Sequence, residues 1–474
     1  MKARHAALPT LALLAVAAVV FFTTEANPQV TSVSPVVNIG QAVDPGVRSG
    51  GNTDTPGNPL STLTANQLAY FNAGKAQFLQ VEGITDGLGP RMNLDSCAGC
   101  HAQPAVGGTS PKVNPQVALA KSAGATNIVP TFISVNGPVR EARFVKGPDG
   151  SVDGGVHSLF TIGGRTDAPG CQLAQPDFPM AVANGNVIFR IPTPVFGAGL
   201  IEQIPDSVIL ANQAVNAAAK QALGIRGKAN IILAGNAISG QPNLNGNDGT
   251  IARFGWKAQN KSLLMFAGEA YNVEMGITNE LFQTERDQTP ACQFVATPNS
   301  VTNTDAHNPT EALSDIELFA LYMRFLAPPA PSLNFPGGVA SIARGRALFS
   351  SVGCVHCHTP TLMTGNSTVV ALKNQPVSLF SDLLLHDMGS KLADGVAQGQ
   401  AGPTEFRTAP LWGLGQRIFF LHDGRTSDLI VAIRQHQSAA TATQEASEAN
   451  AVVSNFNGLS EPDKQHLLNF LRSL

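Results

Sequence analysis

The chain is predicted to be mainly α-helical with long loops and short β-strands, in two similar units of which the first carries a large insertion. Three observations predict this. The pattern Cys-x-x-Cys-His occurs twice, at Cys97–His101 and Cys354–His358, far apart in a chain of 474 residues. Apolar residues recur at helical spacing near each copy, with Leu68, Phe71 and Phe78 before the first and Leu467, Leu468, Leu471 and Leu474 closing the chain. The remainder is punctuated by 46 Gly and 32 Pro, which favours irregular backbone between brief elements.

In chain order, Lys2 and Arg4 precede an apolar run over Leu11–Phe22 and small residues up to Ala26, the pattern of a secretory signal over residues 1–26. The run is shorter than the ~20 residues a membrane span needs. Export to the periplasm is therefore expected, with an N-terminal anchor as the alternative. Residues 27–63, rich in Pro, Gly, Asn and Thr, read as a flexible lead-in. Residues 64–327 form the first unit. A helix over Thr64–Gln80 is broken by Gly87 and Gly89-Pro90, and short strands are expected within Ile128–Val135 and Val187–Ile191. Helices are expected over Ala211–Leu223 and Ser314–Leu326, the latter stopped by Ala327-Pro-Pro-Ala-Pro331. Residues 337–474 form the second unit. There a helix over Val339–Ser350 delivers Cys354, and Ser460-Glu-Pro-Asp463 starts the last helix with a cap.

Charged residues make up 13% and the formal charge is −3, so there is no basic field for nucleic acid. The repeated motif carries the chemistry. In Cys-x-x-Cys-His, two thiolates bond a porphyrin and the histidine ligates its iron, as in c-type haem. A zinc ribbon would set its two cysteine pairs ~15–20 residues apart, which these are not. The reading is two covalently bound haems in two cytochrome c-like domains. Cys97, Cys100, Cys354 and Cys357 attach them, and His101 and His358 are the proximal ligands. The other two cysteines, Cys171 and Cys292, either pair as a disulfide or stay as separate buried thiols. Opposite His358, four side chains compete as second ligand: His386, Met388, His422 and His436. Position alone does not choose among them.

The C-terminal third resembles the bacterial di-haem cytochrome c peroxidases. Their Arg-Thr-Pro-x-Leu-Arg, Tyr-Phe-His-Asp-Gly and Leu-x-x-Ala-Val-x-x-Met segments read here Arg407-Thr-Ala-Pro-Leu-Trp412, Phe420-Leu-His-Asp-Gly424 and Leu429-Ile-Val-Ala-Ile-Arg-Gln-His436. The peroxidase methionine ligand falls on His436, which implies an iron between two histidines and a lower reduction potential. The chain is more closely similar to the di-haem oxidoreductase family, described as peroxidases and formerly labelled thiol oxidoreductases. The shared segments are Phe189-Arg-Ile-Pro192, Gly197-Ala-Gly-Leu-Ile-Glu-Gln-Ile-Pro205, Arg253-Phe-Gly-Trp-Lys-Ala258, Glu274-Met-Gly-Ile-Thr278 and Asp382-Leu-Leu-Leu-His-Asp-Met-Gly389.

This resemblance implies an exported peroxidase-like enzyme. A small redox donor protein, cytochrome- or cupredoxin-like, would feed the C-terminal haem, and a peroxide would be reduced at the N-terminal one. The alternatives are a di-haem electron-transfer protein, or an oxidase of a small organic or protein substrate. Glu274 and Glu202 are the candidate acid/base groups, with Glu269 and Glu280 behind them, and His157 is a candidate cap on the first iron. Trp256 or Trp412 would stand between the haems, and Arg253, Arg407 and Arg425 are candidates for the propionates. Related enzymes hold calcium at the domain junction, but no Asp/Asn-rich loop here compels it.

Overall fold

The computed structural model describes residues 40–48, 56–124, 126, 128–151, 155–157, 160–161, 165–233, 237–238, 241–242 and 248–474. The expected signal segment lies outside them. Among the described residues no helix is long and apolar enough to cross a membrane. Residues Gln41–Leu474 form one compact unit. It is mostly helical, and among the described residues its strands make two- and three-stranded antiparallel sheets.

Two helix crossings frame the two motifs. The helix Ala65–Leu79 lies on Asp315–Phe325, which in turn lies on Leu263–Met275. Near the second motif, Gly338–Ser351 crosses Glu461–Ser473. Each crossing passes through a glycine. A Cβ on Gly74 would strike the Leu318 carbonyl, and one on Gly345 the His466 carbonyl. The backbones therefore approach more closely than any side chain would permit. The expected C-terminal stripe is buried, with Leu467 at 1%, Leu468 at 0% and Leu471 and Leu474 at 5% exposure. It packs with Leu348, Phe349 and Phe470 in the core beside the second motif. Thr64 and Gln67 form a reciprocal capping box. At the last helix Ser460 accepts from the Asp463 amide, but the Asp463 carboxylate turns away to Arg344.

Three expectations need correction. The lead-in is not free throughout its length. Asp44 takes two hydrogen bonds from Arg472, both at 2.7 Å, and one from the Leu429 amide at 2.8 Å. The helix expected over Ala211–Leu223 is two, Asp206–Ala214 and Ala217–Ala222, because Val215 is extended and Asn216 sits at φ 58°. Ile128–Val135 forms no strand; Ile133 donates to the Pro130 carbonyl and turns the chain. Cys171 and Cys292 do form a disulfide.

Gly345→Ala is expected to cost about 1–3 kcal/mol of stability net, even though alanine favours a helix by about 1 kcal/mol. The readout is a lower urea midpoint at unchanged slope. An unchanged midpoint would show that the crossing has room for a methyl group.

Candidate functional site

The first motif is one helical turn, Cys97–Cys100, capped by Ser96. His101 follows it, and its Nδ1 lies 2.9 Å from the Gly108 carbonyl. Gly108 has no room for a Cβ beside the Gln103 carbonyl, so only glycine brings this acceptor so close. Burial pushes His101 down to about 4, which keeps the imidazole neutral. It opens on a cavity of about 1160 Å³ with three carboxylates in its wall: Glu141, Glu269 and Glu274. Glu274 and Glu269 come from helix Leu263–Met275, and Glu141 from strand Glu141–Phe144. Burial, then repulsion from Glu141 and Glu269, pushes Glu274 up to about 8. Burial also raises Glu141, against the pull of Arg143 and Arg190. Glu269 accepts hydrogen bonds from Asn260 and Gln259.

The second motif opens on a larger and more apolar cavity of about 1590 Å³. His358 and His436 both line it. The Nδ1 of His358 lies 3.0 Å from the Phe380 carbonyl and that of His436 lies 2.8 Å from the Ala432 carbonyl. All three imidazoles are thus oriented alike: an Nδ1–H held by backbone carbonyl leaves Nε2 with the lone pair a metal needs. Burial lowers His358 to about 4 and lowers His436 also. His386 differs, because Asp382 engages its Nε2 at 2.9 Å and Glu448 its Nδ1 at 2.7 Å. Burial opposes its charge, but Cys357 and Asp382 outweigh that and hold it well above the ordinary imidazole range. With both nitrogens engaged it has no lone pair to offer. His422 stacks on Phe406 at 4.5 Å, and Met388 also lines this cavity.

Trp256 lines both cavities, with its Nε1–H on the Ile191 carbonyl at 2.9 Å. Trp412 is buried at 6% exposure and lines a small cavity between Pro194 and Arg417 instead. Arg407 and Arg417 line the second cavity. Among the described residues each donates only to backbone carbonyls: Arg407 to Gly255 and Thr408, Arg417 to Pro410. Burial lowers both to about 10, with mutual repulsion adding to it for Arg407. Two guanidiniums without a carboxylate, Arg407 buried and Arg417 half-buried, are a site that wants anions. Both cavities therefore fit an iron porphyrin. Each offers a cysteine pair and an oriented histidine, and the second supplies cations suited to propionates.

Of the other residues singled out in the sequence, Glu202 is not in the cavity wall. Its carboxylate takes Arg324 at 2.7 Å and caps Leu263 at 2.9 Å, at the start of the helix that carries Glu274. Glu280 binds Thr302. Arg253 pairs with Asp206 and Arg425 with Asp423, and neither is among the residues lining these two cavities. The side chain of His157 lies outside the described residues. Glu141 and Arg417 escaped the sequence reading; the only signal for Glu141 was its alternation with Arg143 along a strand. Among the described residues no group of three or more His, Cys, Asp or Glu is arranged to hold a metal ion.

Residues 147–474 match the family model described as "Di-haem oxidoreductase, putative peroxidase". The first motif precedes that range, although Arg190, Trp256 and Glu274 of the first cavity lie within it. No curated protein matches the chain. Among solved structures, the chain is similar to hydrazine synthase of Kuenenia stuttgartiensis, with 19% identity and a TM-score of 0.22, over 35% of this chain and 56% of that one. It is also similar to a MauG-like protein associated with microbial copper homeostasis, with 18% identity and a TM-score of 0.25, over 36% and 55%. The chain thus spans little more than half the length of either. The match over residues 147–474 shows that the chain belongs to the di-haem oxidoreductase family.

Proposed function

We propose that this chain is an exported di-haem c-type oxidoreductase that reduces a peroxide in the first cavity with electrons received at the second. Cys97, Cys100, Cys354 and Cys357 would attach the two haems, and His101, His358 and His436 would ligate their irons. The observation that carries this reading is the asymmetry of the cavities. The second is lined by two oriented imidazoles, which suits electron transfer. The first has His101 with a wall of three carboxylates. An iron porphyrin held there by Cys97, Cys100 and His101 would supply the redox chemistry that peroxide reduction needs.

The chain's own part is to move protons and pass electrons. Peroxide cleavage requires a group that takes the proton from one oxygen and returns it to the other. Glu274 suits this role, because burial and two neighbouring carboxylates bring it to about 8 rather than the usual carboxylate range. Gln259 and Arg143 line the same wall and can orient the substrate. Trp256, common to both cavities, is the side chain suited to pass electrons between them. A small cytochrome- or cupredoxin-like donor in the periplasm would supply them.

One observation favours a second reading. Met275 and Met323 also line the first cavity. A thioether on that iron would leave a di-haem electron-transfer protein without substrate chemistry. Spin-resonance and optical spectra of the purified holoprotein decide between the two. A high-spin signal from one haem that changes on adding hydrogen peroxide is expected; two low-spin haems that ignore peroxide would establish the electron-transfer reading.

Glu274→Gln is expected to lower kcat/KM for hydrogen peroxide by roughly 10²–10⁴-fold, with haem content unchanged. The acceptor role needs the carboxylate, which is the form present above its raised pKa. In the wild type kcat/KM is thus expected to climb as pH rises through about 8, and the glutamine variant should lack that climb. A variant with wild-type rates would remove Glu274 from the mechanism.

A further inference from the structure

A buried phenol at the edge of the first cavity has surroundings that packing does not require. The ring of Tyr271 lines that cavity, on the helix that carries Glu274. Its hydroxyl meets two carboxylates, Oε1 of Glu82 at 3.1 Å and Oδ2 of Asp315 at 3.2 Å. Neither carboxylate is among the cavity's lining residues. The other oxygen of Glu82 accepts from the side-chain amide of Gln80 at 3.3 Å, and Gln80 is exposed. Cavity, phenol, carboxylate and surface thus follow one another in contact.

We propose that Tyr271 is a redox-active tyrosine that carries an oxidising equivalent out of the first cavity, with Glu82 taking its phenolic proton. The proposal rests on the reading that a peroxide reacts in that cavity. The peroxide withdraws two electrons from the His101 site and takes up two protons from solvent as its O–O bond breaks. Its oxygens leave as water, or as water and an alcohol. The donor protein, through the second cavity, returns one of those electrons. Tyr271 then returns one electron. Its O–H bond breaks, the electron goes to the His101 site, and the proton goes to Oε1 of Glu82. A one-electron reductant and the proton held by Glu82 later restore the phenol.

The environment discriminates between tyrosines. Only three are present, Tyr70, Tyr271 and Tyr322. Tyr322 belongs to the same aromatic cluster, with its ring 5.0 Å from Phe78, but its hydroxyl donates to the Val106 carbonyl at 2.8 Å. A carbonyl cannot hold a proton at neutral pH, so oxidising Tyr322 would strand a cationic phenol in the core. Glu82 is a better base than an exposed carboxylate. Burial, then the charge of Asp315, pushes it up to about 7.

The test uses holoprotein with ring-deuterated tyrosine, freeze-quenched for spin resonance after two separate oxidants. One is hydrogen peroxide; the other is a photo-oxidised ruthenium tris-bipyridyl complex, which needs no peroxide chemistry. An organic radical whose hyperfine structure narrows on deuteration is expected. It should persist in the Tyr70→Phe/Tyr322→Phe double variant and disappear in Tyr271→Phe. Glu82→Gln should lower its yield roughly tenfold or more, with the haem spectra unaltered. A radical that ignores deuteration, or that survives in Tyr271→Phe under either oxidant, overturns the proposal. A Tyr271 radical raised by the photo-oxidant in protein that ignores peroxide would uphold the tyrosine and reject the peroxidase reading.

Discussion

The arrangement of the two cavities depends on one buried carboxylate. The side chain of Asp394 has no exposed surface and lies between Arg190 at 2.6 Å and Lys257 at 3.0 Å. Arg190 belongs to the wall of the first cavity. Lys257 follows Trp256 in the chain, donates to the Gly402 and Glu405 carbonyls, and sits 4.1 Å over the ring of Phe406. Phe406 in turn stacks on His422 at the second cavity. Removing one member of such a buried cluster strands the charge of another, typically at 3–5 kcal/mol. That cost fixes the cluster, and the cluster fixes the indole that borders both cavities.

The two cavities then use burial in opposite ways. At the second, low dielectric holds His358 and His436 neutral and so available to a metal, while Arg407 and Arg417 stay positive and call for anions. At the first, the same desolvation acts on carboxylates crowded into one wall and pushes protons onto them. One physical effect thus leaves a pair of neutral imidazoles at one cavity and raised carboxylates at the other. Differences of this kind arise from which residues surround a pocket rather than from the motif that opens it.

What was legible in the sequence follows from range. The two Cys-x-x-Cys-His motifs and the helices that flank them are set by neighbours within a few residues, and those helices stand where their spacing put them. His436 emerged through a resemblance, since its spacing from Cys354 carries no signal of its own. Long-range pairings stayed hidden. Glu202 and Glu274 look equally suitable in sequence, yet Arg324 claims the first as a structural carboxylate. Glu141 reaches the cavity on a strand paired with Val187–Arg190, and Glu82 meets Tyr271 across 189 positions. No local pattern encodes such meetings. The lead-in read as loose for the same reason: the partner of Asp44, Arg472, stands at the far end of the chain.

The disulfide has a topological consequence. Cys171 and Cys292 close a covalent ring over a sequence separation of 121, and that ring contains Arg190, Trp256 and the helix of Glu269 and Glu274. The turn Cys97–Cys100 and His101 lie outside it. The first cavity is therefore an encounter between that ring, which presents Glu269 and Glu274, and chain outside it, which presents His101 and Glu141. A closed loop of that size destabilises the unfolded ensemble by about 4.9 kcal/mol in the chain-entropy model. Thiol reductants in the surroundings would open the ring that carries Glu269 and Glu274 without breaking a bond in the segments that present His101 and Glu141.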